Sequence, residues 1–443
     1  MIGQFPWDPF PEQVALPKGP DPIHAVTYQA AVSAADAYRG VRETLRVETD
    51  MLRVGNRFVP LARYRDVAFV SLGVAAGSMA LAALHTLGDA LTAGFVAGPL
   101  PSMEEVPFQR IEIPLGLAGA PRAEEVVRGI EEIADAMHDE QLFVLLLSPG
   151  ALAALALPPA GVTAEEFQGI LHRAWTMGAT GHEVDRIART LGEGGVGGGV
   201  RRLCRNADIA TFVADRGEGA VLLGGGPVHP VTSIERQEVR ELLSRLGLIG
   251  SLPPSVAARL APGGEAADAS APPVHRPVYV ARPTDALEGA GNDLFDRKWR
   301  VRLGMLSVSA PPEEAADRFV ARVEEILDRE PDPSFDKSYG IAVLAATDLG
   351  QPEGVDDGPA QARFLQRAEG LLRRRYVSVG LYRTAGPLGP SKFPGGAVVG
   401  FPMNVDYPRT PGRARAIPME AGVTEVGSVA VALLPLVEPE PST

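Results

Sequence analysis

The sequence lacks the features that mark a secreted, membrane-spanning or duplex-binding protein. Its single cysteine, Cys204, excludes an internal disulfide and a thiolate metal cluster. The opening residues, MIGQFPWDPFPEQ, have neither a basic segment nor an apolar core, so they predict no secretory signal. A formal net charge of −13 argues against binding to duplex nucleic acid. Together these absences predict a cytoplasmic globular protein.

Two common catalytic signatures are also missing. The chain has no G-x-x-x-x-G-K-[ST] phosphate-binding loop and no G-x-S-x-G nucleophile elbow. Residues 192–197 match the letters G-x-G-x-x-G, but they follow a predicted helix rather than a strand. We therefore interpret them as a loop or helix terminator, not as a dinucleotide site.

One uncharged run, residues 67–84, is the segment around which the chain is organised. Its length meets the criterion for a membrane span, but it is rich in alanine and is not followed by a second such run. Its first part is β-branched and aromatic, Gly73 begins a small-residue turn, and the remainder has helical character. The run predicts the first βα unit of a doubly wound domain, whose turn lies where ligands usually bind.

Predicted strands and helices alternate through both halves of the chain, which favours an α/β fold. Residues 21–45 predict a helix with a restart near Asp36, and residues 47–61 predict a hairpin about Gly55 and Asn56.

The length of 443 residues is enough for two or three domains. We predict an extended proline-rich arm over residues 1–22, an N-terminal domain over 23–260, a linker over 261–277 and a C-terminal domain over 278–443. The linker is rich in Pro, Ala, Gly and Ser. The arm contains three aromatic residues, which suggests that it packs on the protein or on a partner.

The order of several segments resembles the type II glycerate 2-kinase family, whose members have a glycerate-kinase domain followed by a MOFRL domain. The opening helix and hairpin resemble the start of that family, and WTMGATGHEVDRIARTL resembles its central helix. Residues 225–227 take the place of a family S-G-P-T segment, and residues 384–391 that of T-D-G-x-D-G-P-T. The resemblance implies two α/β domains, an N-terminal doubly wound, mostly parallel sheet and a C-terminal MOFRL-like domain, with a cleft between them.

The departures from the family pattern affect its chemistry. Val74 stands where the family has the lysine of G-x-G-K-A, and Pro149 interrupts a glycine-rich S-G-G-G-S-A segment. Three family aspartates fall on Ala385, Leu388 and Lys392. Phosphoryl transfer depends on positioning and on charge neutralisation by Lys, Arg and Mg²⁺, and Mg²⁺ needs carboxylates. Proline also removes an N–H that an anion cradle needs.

Some site positions survive in the comparison with the family. The resemblance places four residues in cofactor-binding segments: Gly73, Ser148, Gly150 and Gly226. It leaves three remnants of a catalytic site: Asp215, Glu218 and Arg189, the last following Ala188 where the family has an Arg-Lys pair. Asp215 and Glu218 are either a functional acidic pair or a solvated, helix-capping pair.

Other titratable residues also have two interpretations. His182 and Glu183 could act as general acid and base or as metal ligands, but their helical position favours structural hydrogen bonds. The arginines nearby either hold an anion or form a charged helix face and a solvated loop: Arg186, Arg189, Arg201 and Arg202.

These observations predict a catalytically degenerate glycerate 2-kinase homologue that acts as a binding or scaffold subunit. The alternative is an ATP-dependent kinase of glycerate or another small hydroxy acid with a rearranged site. We expect no cofactor in the first case, and ATP with Mg²⁺ in the second. We expect a protein partner at the N-terminal arm, with a homodimer as a further arrangement, and neither nucleic-acid nor membrane binding.

Overall fold

The structure is a computed structural model. It describes residues 22–98, 107–112, 122–136, 140–204, 207–215, 225–261, 276–329, 340–349, 358–372, 378–383, 396–400, 415–417 and 428–435. The predicted arm, except for its last residue, and most of the predicted linker lie outside these ranges.

The predicted α/β class is confirmed, because helices and strands alternate along the described chain. The strands are β1 Leu45–Glu48, β2 Met51–Val54, β3 Arg57–Pro60, β4 Asp66–Leu72, β5 Leu91–Gly98, β6 Gln109–Glu112, β7 Gln141–Leu147, β8 Ala156–Leu157, β9 Glu193–Gly194, β10 Ala207–Ala214, β11 Val278–Ala281, β12 Trp299–Ala310, β13 Gly340–Leu349, β14 Ser378–Arg383, β15 Gly396–Gly400, β16 Arg415–Ile417 and β17 Ser428–Pro435.

The helices complete the two layered units. They are α1 Pro22–Ala34, α2 Ala37–Thr44, α3 Ala76–Leu87, α4 Ala123–Ala136, α5 Ala151–Leu155, α6 Ala164–Thr176, α7 Gly181–Leu191, α8 Gly199–Leu203, α9 Ser233–Arg245, α10 Pro254–Ala258, α11 Pro283–Asp296, α12 Pro312–Arg329 and α13 Gly358–Leu371. Within the described ranges, none of these helices has both the length and the hydropathy needed to cross a bilayer.

The first sheet is a six-stranded parallel sheet in the order β11-β10-β7-β4-β5-β6. Its central strands are almost wholly buried because both faces are covered by helices. Val67 and Phe69 of β4 pack into one apolar cluster, whereas Ala68 and Val70 pack into the cluster on the opposite face. The uncharged run at residues 67–84 is thus a buried strand and a helix, so the predicted βα unit is confirmed.

The segment before this sheet follows most of the predicted pattern. The predicted helix is interrupted at Asp36, whose carboxylate accepts a hydrogen bond from the Tyr38 N–H and caps α2. Gly55, at φ +60°, lies in the turn between β2 and β3, as the predicted hairpin requires. The structure adds a third strand, because β1 pairs with β2 in antiparallel orientation.

The second sheet contains β12, β13, β17, β14, β15 and β16 in that order. The β12–β13 pair is parallel and the other pairs are antiparallel. Helices α12 and α13 cover one face, where Phe319 and Phe364 are fully buried. The assignment of this unit to the MOFRL class stays a prediction.

The connection between the two sheets runs through β11 and α11. Strand β11 pairs with β10 and forms the edge of the first sheet. The chain then passes through α11 and enters the second sheet at Trp299. One apolar cluster includes α11, Trp299 and residues of both sheets, so the two units share a continuous core.

Helices α1 and α2 contact this late segment closely. A Cβ on Gly289 of α11 would lie 2.4 Å from the Ala30 carbonyl oxygen of α1. A Cβ on Gly40 of α2 would lie 1.7 Å from the Val280 carbonyl oxygen of β11. His24 of α1 also hydrogen-bonds to Ser378 of β14, and both side chains are buried. The first helices are therefore packed against elements from the far half of the chain.

Candidate functional site

The carboxyl ends of β4 and β7 form the topological switch point of the first sheet. The chain moves from β4 outward to β5 and β6, and then returns to β7 on the other side of β4. Open α/β sheets bind ligands in the crevice at this point. The turn at residues 73–75 and the turn at residues 148–150 border the crevice, so the structure brings together Gly73, Val74, Ser148 and Gly150 from the predicted site.

The turn after β4 is bonded to its neighbours through backbone N–H groups. The Gly73 N–H donates to the Ala97 carbonyl at 3.0 Å, and the Val74 N–H donates to the Pro149 carbonyl at 3.1 Å. The Ala75 N–H donates to Ser148 Oγ at 2.9 Å. Three successive donors at this turn are thus used inside the protein.

Ser148 joins the two turns. It is fully buried, and both its backbone N–H, at 3.0 Å, and its Oγ, at 2.9 Å, donate to the Leu72 carbonyl. The same Oγ accepts the bond from Ala75. The resemblance makes Ser148 a cofactor-binding position, whereas in the structure its hydroxyl links two strand ends.

We expect Ser148→Ala to lower the free energy of unfolding by about 1–3 kcal/mol, because it leaves the buried Ala75 N–H without a partner. The change is measured as a shift in the midpoint of guanidinium denaturation. Ser244→Ala, at an exposed position in the last turn of α9, is the matched control and should stay within about 0.5 kcal/mol of wild type. Equal stability of the two variants would contradict the role of Ser148.

The side chain at the family's lysine position is apolar and enclosed. Val74 is 8% exposed, so this turn supplies no amine to the crevice. Gly150 has φ +87° at the start of α5, and a Cβ there would meet nothing within 4 Å. The region around Gly150 is therefore open, while Gly73 is tightly enclosed by the opposite turn.

Arg189 is held in a structural ion pair. Its side chain is 6% exposed, its Nη1 donates to the Glu235 carboxylate, and its Nη2 donates to the carbonyls of His229 and Pro230 at 3.3 Å each. Burial, together with the charge of Arg186, lowers the pKa of Arg189 to about 10. Arg189 thus ties α7 to the start of α9.

His182 and Glu183 both take part in hydrogen bonds within the protein. Glu183 forms a capping box with Thr180 at the start of α7 and accepts a hydrogen bond from Arg245. His182 Nε2 lies 3.1 Å from Arg186 Nη2. Burial lowers the pKa of His182 to about 4, so the imidazole is neutral and accepts this bond.

Asp215 lies at the carboxyl end of β10, beyond β7 from the turn at Gly73. It is 4% exposed, and its N–H donates to the Ala281 carbonyl at 2.9 Å. Burial first, and then the negative charge of Asp215, raise the pKa of Tyr279. Glu218, its predicted acidic companion, lies outside the described residues, as do Ala385, Leu388 and Lys392.

Gly226 belongs to a second pair of packed glycine segments. Its carbonyl accepts from the Gly198 N–H at 3.4 Å, and the Pro227 carbonyl accepts from the Val200 N–H at 3.1 Å. Among the described residues, no three His, Cys, Asp or Glu side chains lie together as a metal site would require.

Gly98 is a site residue that the sequence analysis did not single out. A Cβ on Gly98, at the end of β5, would lie 2.5 Å from the Gly73 carbonyl oxygen. A sequence signal was present, because a glycine in a strand often marks the close approach of another backbone.

Comparison with known proteins places this fold in a family. A family model described as "Domain of unknown function (DUF4147)" matches residues 24–261, more than half of the chain. The chain belongs to the DUF4147 family. The match covers the switch-point turns and Asp215, and it ends before the edge strand β11.

Curated relatives of this DUF4147 protein are glycerate kinases, so the predicted relationship is confirmed at the level of the family. The human "Glycerate kinase" is 26% identical over 208 residues, which cover 43% of this chain and 39% of the relative. The "D-glycerate 2-kinase" of Thermotoga maritima is 27% identical over 223 residues, which cover 49% of each chain. The matched segment thus spans less than half the length of these curated relatives.

Two crystal structures share the fold over most of the DUF4147 chain. The glycerate kinase of Thermotoga maritima superposes with a TM-score of 0.64 at 19% identity, covering 93% of this chain and 98% of that one. The PH0495 protein of Pyrococcus horikoshii OT3 gives a TM-score of 0.62 at 16% identity with the same coverage. At these identities the likeness concerns the fold, which is the predicted two-unit α/β architecture.

Proposed function

We propose that this kinase-family relative is a catalytically degenerate glycerate 2-kinase homologue that acts as a binding or scaffold subunit. The observation that carries the proposal is that the first βα turn has no lysine and that its backbone N–H groups are already hydrogen-bonded within the protein. Val74 replaces the amine expected there, and the N–H groups of Val74 and Ala75 are bonded to the turn at residues 148–150. A phosphate group at this turn would find neither the lysine charge nor these two backbone donors.

The described residues at this crevice do not fit the phosphates of ATP with Mg²⁺. Phosphoryl transfer is accelerated mainly by positioned cations and hydrogen-bond donors, and one such donor is worth a factor of about 10²–10³ in rate. Arg189, the cationic residue that the resemblance leaves as a remnant of the catalytic site, forms an ion pair with Glu235. We therefore assign the protein no cofactor. We also propose that a protein partner binds at the aromatic, proline-rich arm of residues 1–22.

The alternative is an ATP-dependent kinase of glycerate or a related small hydroxy acid. Two observations favour it: the buried carboxylate of Asp215 at the carboxyl end of a central strand, and the packed glycine segments at residues 197–199 and 225–227. In that case the nucleotide would be held by a rearranged set of residues rather than by the turn after β4.

We expect purified protein to show no thermal shift with ATP·Mg²⁺, ADP·Mg²⁺, D-glycerate or their pairs, and no glycerate-dependent ADP release in a coupled assay. The Thermotoga maritima D-glycerate 2-kinase serves as the positive control, and we expect turnover at least about 10²-fold below it. A ligand at a hundred times its dissociation constant stabilises a protein by about 2.7 kcal/mol, so a bound nucleotide would be visible. A clear shift together with glycerate-dependent turnover would establish the alternative.

A further inference from the structure

A cavity lies on the first domain, away from the switch point. It has a volume of about 650 Å³, within the range of small-molecule sites, and it opens between α2, the start of β1 and the last turn of α3. Helix α3 begins at Ala76 beside the crevice, whereas His85 of the cavity lies nine positions further along the helix. At 1.5 Å per residue the two places are about 13 Å apart along the helix axis.

The cavity collects positive charge in a protein whose net charge is strongly negative. Arg39, Arg42 and Arg46 line it with two carboxylates. Glu43 is bonded to Arg39 at 2.7 Å, and Asp36 is turned to the backbone as the cap of α2. Within the described part of the chain, no carboxylate lies at ion-pairing distance from Arg42 or Arg46. The charges of these two guanidinium groups are therefore not paired with a carboxylate of the described residues, and they can pair with an anionic ligand.

Local contacts hold these two arginines in place. Arg46 donates its Nε to the Arg42 carbonyl at 2.9 Å, which leaves both of its Nη groups out of that bond. The Arg42 guanidinium lies 5.7 Å from the centre of the Tyr38 ring and donates to its hydroxyl at 3.4 Å. Cation–π contact and hydrogen bonding thus limit the freedom of Arg42 before any ligand arrives.

Tyr38 also contacts His85. Its hydroxyl lies 2.7 Å from His85 Nδ1, and the two rings meet edge to face. The hydroxyl oxygen also accepts from Arg42, so Tyr38 links the imidazole to a guanidinium group. The cavity therefore combines two guanidinium groups with an imidazole ring.

We propose that this Arg42 pocket, defined by Tyr38, Arg39, Arg42, Arg46 and His85, binds a phosphorylated small molecule. Two guanidinium groups match the charge of a phosphomonoester dianion and offer paired donors to its oxygens. The cavity is larger than a phosphate group, and Ser33 and Thr86 are among the residues that line it, so an uncharged polar body would fit beside the phosphate. The site is independent of the proposed loss of phosphoryl transfer at the switch point.

Isothermal titration calorimetry of the full chain at low ionic strength tests the proposal with glycerol 3-phosphate, inorganic phosphate and glycerol as probes. We expect glycerol 3-phosphate to bind, and to bind more tightly than inorganic phosphate, with no signal from glycerol. The double variant Arg42→Gln/Arg46→Gln should weaken glycerol 3-phosphate binding by about tenfold or more, because it removes charge-assisted hydrogen bonds.

The control removes the same charge elsewhere. Arg128→Gln/Arg318→Gln replaces two exposed arginines that each pair with a glutamate four positions away on their own helix. We expect its affinity to stay within about twofold of wild type, because distant surface charges are screened. Thermal melting confirms that both double variants are folded. No binding to wild type, equal loss in the two double variants, unchanged affinity in the Arg42→Gln/Arg46→Gln variant, or equal affinity for phosphate and glycerol 3-phosphate would each overturn the proposal.

Discussion

Arg189→Met is expected to lower the free energy of unfolding by about 3–5 kcal/mol, the cost of removing one partner from a buried ion pair. The change leaves the Glu235 carboxylate facing a buried position without its cation, and it also removes the donors to the His229 and Pro230 carbonyls. Guanidinium denaturation measures the loss.

Arg186→Met provides the control from the same helix. The Arg186 side chain is 31% exposed, and its partner Glu238 is 46% exposed, so we expect a loss of no more than about 1 kcal/mol. Adding Glu235→Gln to Arg189→Met should recover part of the lost stability, because it removes the uncompensated charge. An Arg189→Met variant as stable as Arg186→Met would show that the buried pair does not hold α7 to α9.

A Gly73→Ala variant should lose about 2–5 kcal/mol through two separate effects. The residue has φ +101°, in the left-handed region where a side chain costs about 1–2 kcal/mol. A Cβ would also lie 2.4 Å from the Ser148 carbonyl oxygen and 2.7 Å from that of Pro149, so the opposite turn must move. Overpacking of this kind costs about 1–3 kcal/mol more.

Gly150→Ala separates the two effects. Gly150 has φ +87° in the facing turn, but a Cβ there would meet nothing within 4 Å. It should therefore show only the backbone cost of about 1–2 kcal/mol. The difference between the two denaturation midpoints measures how tightly the turns are packed, and identical midpoints would mean that the turn at residues 148–150 yields freely.

Local chemistry made several elements predictable. The βα unit at residues 67–84 follows from a β-branched run, a glycine and an alanine-rich run, each of which has its own backbone preference. Asp36 marks the restart of the helix because its side chain caps the next N–H groups. The strand β1 was missed because the hairpin prediction ran from residue 47 without a break, whereas the chain turns at Thr49, at φ +57°, and Leu45–Glu48 pairs with β2.

Non-local contacts explain what the sequence left open. The domain prediction put Val278 at the start of the C-terminal domain, but the place of β11 at the edge of the first sheet depends on hydrogen bonds to β10. The position of Val74 predicted a missing amine. The N–H groups of Val74 and Ala75 donate to Pro149 and Ser148, which lie in a turn far away in sequence. No local sequence signal encodes these two hydrogen bonds.

The position of β11 has a consequence for the order in which the molecule folds. During synthesis, α1 and α2 emerge from the ribosome long before β11 and α11, yet Gly40 packs on Val280 and Ala30 packs on Gly289. The apolar surfaces of these helices stay uncovered until the chain beyond residue 276 has emerged, and long-range closures of this kind slow folding. A fragment confined to residues 24–261, the segment that matches the family, would lack the edge strand β11 and the helix α11 that packs on α1. The matched segment is therefore shorter than the unit that folds.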